Sequence, residues 1–398
     1  MRLATSTRWS ATLDNLMRRQ AELSRAQEQM SGGLRVNRPS DDPTAAARAE
    51  RARGVQARAE ADQRALGVSR NAMQLAEGAL GSGVETLQSA RETLVNAGNA
   101  TYGPVERLAL ANQLRQLRGQ LLSVVNQGDG AGGFVFGGQG TTAAPFLDGT
   151  TGVTFGGTGG QINASSREQM PTTVDGRQIW LSSNSGNGVF ETAAAGANAG
   201  AGWIDAGRVI DPSAITGSSY DIVFAGTPGN LTFSVLRDGN ATGMTNVAYR
   251  SGQAIAVDGM SLTVSGAPVA GDQFQVRPSQ PTLDPFTALD RAIAVLSDPS
   301  ANVGQVQQAV NHGVRDMDAV LTNVQAARSV AGNTLSRLDA IEQRTRDRSL
   351  WAKQVQSDAE DLDMVQAVSE FQNRQSGYQV ALQTYAMVQR LSMFDYLR

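Results

Sequence analysis

The chain has 398 residues, a formal net charge of -3 and no cysteine. That length allows two or three domains with a sizeable core, and the balanced charge excludes a global field drawing nucleic acid or anionic membrane. The missing thiols exclude disulfide frameworks, zinc–thiolate sites and cysteine nucleophiles.

The first residues, Met1-Arg2-Leu3-Ala4-Thr5, run into polar sequence with no apolar h-region, so no cleaved signal peptide is expected. No window approaches the roughly 18 apolar residues of a membrane span. Residues 1–36 predict a first helix, on which Leu13, Leu16, Gln20, Leu23, Gln27, Met30 and Leu34 recur in steps of three and four. This spacing makes one narrow apolar stripe, the seam by which a helix packs knobs into the holes of a partner. Ser31-Gly32-Gly33 loosens the end of the helix, and the polar link Val36-Asn37-Arg38-Pro39-Ser40-Asp41-Asp42-Pro43 follows. Asp42 suits an N-cap because the next proline disfavours α geometry there. Pro43 suits the first helical position, where no N–H is needed.

A second helix is predicted over about 44–98, with Leu66, Met73, Leu80, Leu87 and Leu94 seven apart and Ala76, Val84 and Ala90 between them. Its Arg-dense start, Arg48 to Arg64, is interleaved with Ala and Glu and reads as a solvated face. Tyr102-Gly103-Pro104 breaks the pattern. A third helix over about 105–126 carries Leu110, Leu114, Leu117, Leu121 and Val124. Composition changes at Gly128, where most of the 43 glycines begin to gather and β-branched or aromatic runs are separated by predicted Asp-Gly turns at 148–149, 175–176, 238–239 and 258–259. Ala254 to Val257, Asp258-Gly259 and Met260 to Val264 predict a hairpin with a type I′ turn. Leu231 to Leu236 and Gln273 to Val276 predict further strands, and 185–202 reads as a loop.

Helical periodicity returns with Phe286, Leu289, Ile293 and Leu296, breaks at Asp298-Pro299, and resumes with Val314, Met317, Leu321, Val324, Ala331, Leu335 and Leu338, with Arg328 the one lapse. A last helix over about 350–394 carries Met364, Val368, Phe371, Gln375, Tyr378, Leu382, Tyr385 and Gln389 in a second terminal seam. Apolar seams before the β region thus have counterparts after it, as an antiparallel bundle requires. The predicted class is α+β: an antiparallel helical bundle or coiled-coil rod made from both chain ends, with an inserted Gly-rich antiparallel β domain. Residues 1–40 with 350–398 are expected to form terminal arms for assembly, 41–127 with 284–349 a helical rod domain, and 128–283 the β domain.

Candidate chemistry dissolves on inspection. His312, the sole histidine, has no partner of its own kind for a metal site or triad and reads as a surface or capping residue. Gly130 to Gly140 lacks the Gly-Lys-Ser/Thr ending of a phosphate loop. Helix capping accounts for Asp41-Asp42, and Asp358, Glu360, Asp361 and Asp363 form a helical acidic patch without calcium-loop spacing. No catalytic residue, metal or cofactor is expected. The candidate functional residues are the apolar seam positions Leu13, Leu16, Leu23, Met30, Leu34, Met364, Val368, Phe371, Tyr378, Leu382 and Tyr385, with Asn37, Asp41, Asp42 and Pro43 as link and cap. Gln20, Gln27, Gln375 and Gln389 dilute the seams, so each arm alone buries too little to offset its ordering entropy.

Four passages carry a family resemblance. Ser31 to Pro43 resembles the segment joining the first two helices in the bacterial flagellin family, and its Asn-x-Pro-Ser-Asp-Asp-Pro form is similar to that of the hook-associated members. Gly133-Phe134-Val135-Phe136-Gly137-Gly138 followed by Thr141-Thr142 and Pro145-Phe146 is similar to a hook-associated passage. So are the hairpin Gly266-Ala267-Pro268-Val269-Ala270-Gly271-Asp272-Gln273-Phe274 and the helix Tyr378 to Tyr385. The last residues, Asp395-Tyr396-Leu397-Arg398, depart from the family's apolar ending. The resemblance implies a structural subunit at the hook–filament junction, exported by the flagellar type III apparatus to the cell exterior. Its implied partners are further copies in a ring, the larger hook-associated protein, flagellin and an export chaperone at the C-terminal helix, with neither nucleic acid nor membrane. Filament flagellin, or a surface adhesin with a sugar-binding β domain on coiled-coil arms, are the alternative readings.

Overall fold

The computed structural model describes residues 2–165, 167–227 and 229–394, with side chains described between 10 and 387. Seam position Gln389, the side chains of Met1-Arg2-Leu3-Ala4-Thr5 and the ending Asp395-Tyr396-Leu397-Arg398 lie outside these limits. The first three helices are α1 (Arg2–Gly32), α2 (Pro43–Ala97) and α3 (Pro104–Val125). A β-rich stretch follows: β1 (Phe146–Gly149), β2 (Gly152–Phe155), the short helix α4 (Gly176–Trp180), β3 (Phe190–Ala194), β4 (Ala201–Ile204) and β5 (Arg208–Val209). It continues with β6 (Tyr220–Thr227), β7 (Asn230–Arg237), β8 (Asn240–Ala241), β9 (Val247–Ala248), β10 (Ala254–Val257), β11 (Met260–Ala267) and β12 (Gln273–Pro278). Helices α5 (Pro285–Ser297), α6 (Val303–Glu360) and α7 (Met364–Phe394) complete the chain. This is the expected α+β class, with long helices from both chain ends and a β domain between them.

The chain forms two compact units, Met1–Arg64 with Ala340–Arg398, and Ala65–Asp339. In the second, the heptad residues Leu66, Met73, Leu80, Leu87 and Leu94 of α2 are all buried, as are Leu114 and Leu121 of α3, Phe286, Leu289, Ile293 and Leu296 of α5, and Met317, Leu321, Val324 and Leu338 of α6. Segment 128–183 joins this helical core through Phe136, Phe146, Val153, Ile179 and Trp180. Phe136 meets Trp180 edge-to-face at 5.7 Å, a preferred aromatic geometry. Gly83, within α2, has no room for a Cβ because Trp180 lies against it, which explains a glycine in a helix interior where it costs about 1 kcal/mol.

The remaining strands form two antiparallel sheets. One has the order β3-β12-β6-β7-β8 with β9 also on β7, the other β10-β11-β4 with β5 also on β11. Their inward residues, among them Phe190, Ile222, Phe224, Val235, Leu262, Val264 and Phe274, close into a second core. The ends of this sandwich meet where Ser183 and Leu283 exchange backbone hydrogen bonds of 3.1 and 2.9 Å. The expected hairpin is present: Val257 faces Met260, and Asp258 and Gly259 have φ of 41° and 79°, both positive as a type I′ turn demands.

Four local expectations are corrected. The loop read at 185–202 contains β3 and the start of β4, because Phe190 and Thr192 turn inward although alanine and glycine blur the alternation. Asp175-Gly176 is a helix start, with Asp175 accepting from the Gln178 N–H, and at Asp148-Gly149 the pairing of Gly149 with Gly152 moves the turn to Thr150-Thr151. The first helix stops at Gly32, since Gly33 adopts φ 67° and so ends it in a left-handed residue. No helix starts near 350. Instead α6 runs unbroken from Val303 to Glu360, and the true break is Asp361-Leu362-Asp363. The acidic patch read as helical therefore straddles a joint.

Candidate assembly interface

The joint is built by the link after α1. Arg35 N–H donates to the Glu360 carbonyl at 2.6 Å, and Leu362 N–H donates to the Gly33 carbonyl at 3.0 Å, so Leu34 and Asp361 form a one-residue β-bridge. The Arg35 guanidinium donates to the Ala359 carbonyl at 2.7 Å and to Asp42 at 3.2 Å. Asp42 Oδ1 accepts from the N–H groups of Thr44 and Ala45 at 3.1 and 3.0 Å, capping α2 where Pro43 begins it. These bonds, with those from the Thr44 hydroxyl and Arg35, hold the Asp42 carboxyl down at about 2. Asp41 closes the turn, accepting from Arg38 N–H at 2.9 Å, and Asn37 is half-buried in the link. Asp363 starts α7 by accepting from Val365 and Gln366 N–H groups.

Beside the joint, Val36, Ala45, Ala49 and Ala359 form a small buried cluster, and Ala52, Ala59 and Ala352 of the antiparallel helices α2 and α6 are buried as well. Arg53 donates to both oxygens of the buried Glu360 carboxylate at 2.7 Å, and Gln56 donates to Gln356 at 2.8 Å. These two pairs fix the register.

Helices α1 and α7 pack against each other, with Arg374 donating to the Glu22 carbonyl and Gly377 leaving space for Arg19. Leu13, Leu16, Leu23, Met30 and Leu34 are half-buried, as are Phe371, Tyr378 and Tyr385, whereas Met364, Val368 and Leu382 are exposed. The α7 face turned to α1 instead includes Ala367, Arg374 and Ala381. Among the described side chains of both helices, only Ala26 is buried. Exposed apolar residues that periodicity missed, because they fall off the seam, are Met17, Val365, Val380 and Met387, with Leu350 and Trp351 on α6.

His312 is also corrected. It is partly buried, lining a cavity of about 490 Å³ with Glu191, Arg291, Gln308, Arg315 and Asp316, and desolvation, with Arg315 and Arg291 nearby, lowers its pKa to about 3. Gln308 pairs with the Ile204 backbone in both directions, accepting at 2.8 Å and donating at 3.2 Å, and its amide also contacts His312 Nε2. Among the described residues no group of three or more His, Cys, Asp or Glu is placed to hold a metal ion, and no helix is long and apolar enough to cross a membrane.

The family model of the bacterial flagellin N-terminal helical region matches residues 4–141. That of the flagellar hook-associated protein 1, D2-like domain, matches 193–278, most of the sandwich. Flagellar hook-associated protein 3 of Salmonella typhimurium is 26% identical over 401 residues, covering 99% of each chain; that of Escherichia coli is 25% identical, again over 99% of each. Among solved structures, flagellar hook-associated protein 3 of Legionella pneumophila superposes with a TM-score of 0.71 at 25% identity, over 76% of this chain and 96% of that one. The N-terminal helical region of this chain thus matches the bacterial flagellin model, and the likeness to hook-associated protein 3 extends over nearly the whole length of the chain.

Proposed function

We propose that this chain is a structural subunit of the bacterial flagellum, a hook–filament junction protein that polymerises through its terminal helices and adapts hook to flagellin filament. The carrying observation is the exposure of α1 and α7: two helices packed on each other with one buried side chain among those described, and with Met17, Val365, Val380, Leu382 and Met387 facing solvent. Such helices bury too little apolar surface to be held by each other alone, and neighbouring copies complete the burial. Residues 1–40 with 350–398 act as the assembly arms, 41–127 with 284–349 as the supporting helical domain, and the β domain within 128–283 decorates it.

The whole-length likeness to hook-associated protein 3 supports this reading, and the sandwich's match to a hook-associated domain weighs against a filament flagellin. The work is mechanical, not catalytic. Partners are further copies in a ring, the larger hook-associated protein, flagellin and an export chaperone on the C-terminal helix; the site of action is the extracellular flagellum, reached by type III export.

Leu382→Asp tests it. Leu382 is 39% exposed, so the purified variant should melt like the parent by circular dichroism. In an assembly, however, the substitution buries an unpaired charge, so cells carrying it should be non-motile and shed flagellin. A normally motile variant overturns the proposal.

A further inference from the structure

The pair of helices beside the joint has one apolar outer face. Leu350 and Trp351 of α6 are 65% and 62% exposed, while the outer face of α2 carries Arg58 and Arg64, both exposed. Among the described residues Arg58, Arg64 and Asp347 have no ion-pair partner, and no cation lies over the Trp351 ring. The register set by Arg53–Glu360 and Gln56–Gln356 brings Arg58 level with residue 354 and Arg64 level with 348. At about 1.5 Å per residue, both arginines therefore lie within about 5 Å of Trp351 along the pair, and Arg64 lies level with Asp347. One face offers an indole beside a carboxylate; the other, at the same level, offers two guanidinium groups.

We propose that the Asp347–Leu350–Trp351 face of one copy docks on the Arg58–Arg64 face of α2 in the next copy, side by side at one level. Arginine stacks on the indole and pairs with the carboxylate, a combination that suits guanidinium better than ammonium. Because the two faces differ, the contact is heterologous, and such contacts close into rings when the rotation between copies permits. Arg348 and Lys353 flank Trp351 on the same helix; they raise the positive charge there, so Asp347 is the group that makes the face selective. The inference rests on the self-assembly proposed above.

The chain has no cysteine, which allows a direct test. Leu350→Cys and Ala61→Cys are introduced together, Ala61 being exposed and level with Trp351. The full-length protein is expressed in cells lacking their own junction protein, and isolated flagella are treated with a short bis-maleimide. Because each copy carries both cysteines, the expected result is a ladder of covalent dimers, trimers and larger species, at least tenfold stronger than with either single cysteine. Asp347→Arg and Arg64→Asp should each reduce motility, and the two together should restore it. A cross-linked monomer only, or no recovery in the charge swap, overturns the docking. If Leu382→Asp blocks assembly while these variants assemble normally, only the docking falls. If Leu382→Asp also assembles, the terminal-helix reading falls with it.

Discussion

At the scale of single residues, His312 is the informative side chain. It lies partly buried against α6's own Gln308, whose amide is committed to the Ile204 backbone, and it faces Arg315 and Arg291. A proton on the ring would place positive charge beside two guanidinium groups and an amide donor. Its folded-state pKa of about 3 lies below the ordinary 6.5, so the unfolded chain binds the proton first. The contribution is harmless above about 6.5 and destabilises the fold progressively as pH falls toward about 3. Asp316, lifted by burial, acts with the opposite sign, so the comparison must isolate the imidazole. His312→Gln should therefore lose less stability than the parent between pH 7 and 4 in denaturant melts. Parallel losses would show that the ring titrates normally.

At the scale of elements, the break at Asp361-Leu362-Asp363 separates α6 from α7, which packs along α1. Without the break, α6 and α7 would continue as one helix, the Asp363 cap would be lost, and the Leu362 N–H would turn from the Gly33 carbonyl into the helix, which breaks the Leu34–Asp361 bridge. Replacing all three residues by alanine, the best helix former, should free α1 from α7. Limited proteolysis should then trim both terminal helices about tenfold faster than in the parent, while the melt of unit 65–339 stays unchanged. Equal trimming rates would mean that the joint does not hold the pair. Nothing local marks this break, because acidic residues are ordinary on a helix surface and the pairing partners at Gly33 and Arg35 lie more than 300 positions away.

At the scale of the molecule, the β sandwich is an insertion whose ends touch. Ser183 and Leu283 already pair across the gap, whereas 128–183 supplies Phe136, Phe146 and Trp180 to the helical core. Excising 184–282 and joining the ends with a two-residue Gly-Ser linker should leave the helical core folded. Asn302, Gln308 and Arg315 lose their partners Gly200, Ile204 and Thr192, a penalty of about 1–3 kcal/mol for each group that stays buried. A cooperative but lowered helical melt is the expected result, and loss of cooperativity would show that the sandwich is part of the core.

The helical class, the seven-residue stripe from Leu66 to Leu94, the Asp42–Pro43 start and the Asp258–Gly259 hairpin were legible in the sequence, because each depends on residues within one or two turns of one another. Four things were decided only by the tertiary structure: which face of α7 meets α1, the break after Glu360, the burial of His312, and the allegiance of 128–183 to the helices. In each case the deciding partner is remote in sequence. A half-apolar helix such as α7 offers several stripes of similar strength, and contact with Arg19 and Glu22 of α1 selects among them. A lone histidine reads as surface until α5, α6 and β3 close around it, since burial belongs to the packed elements and not to the residue.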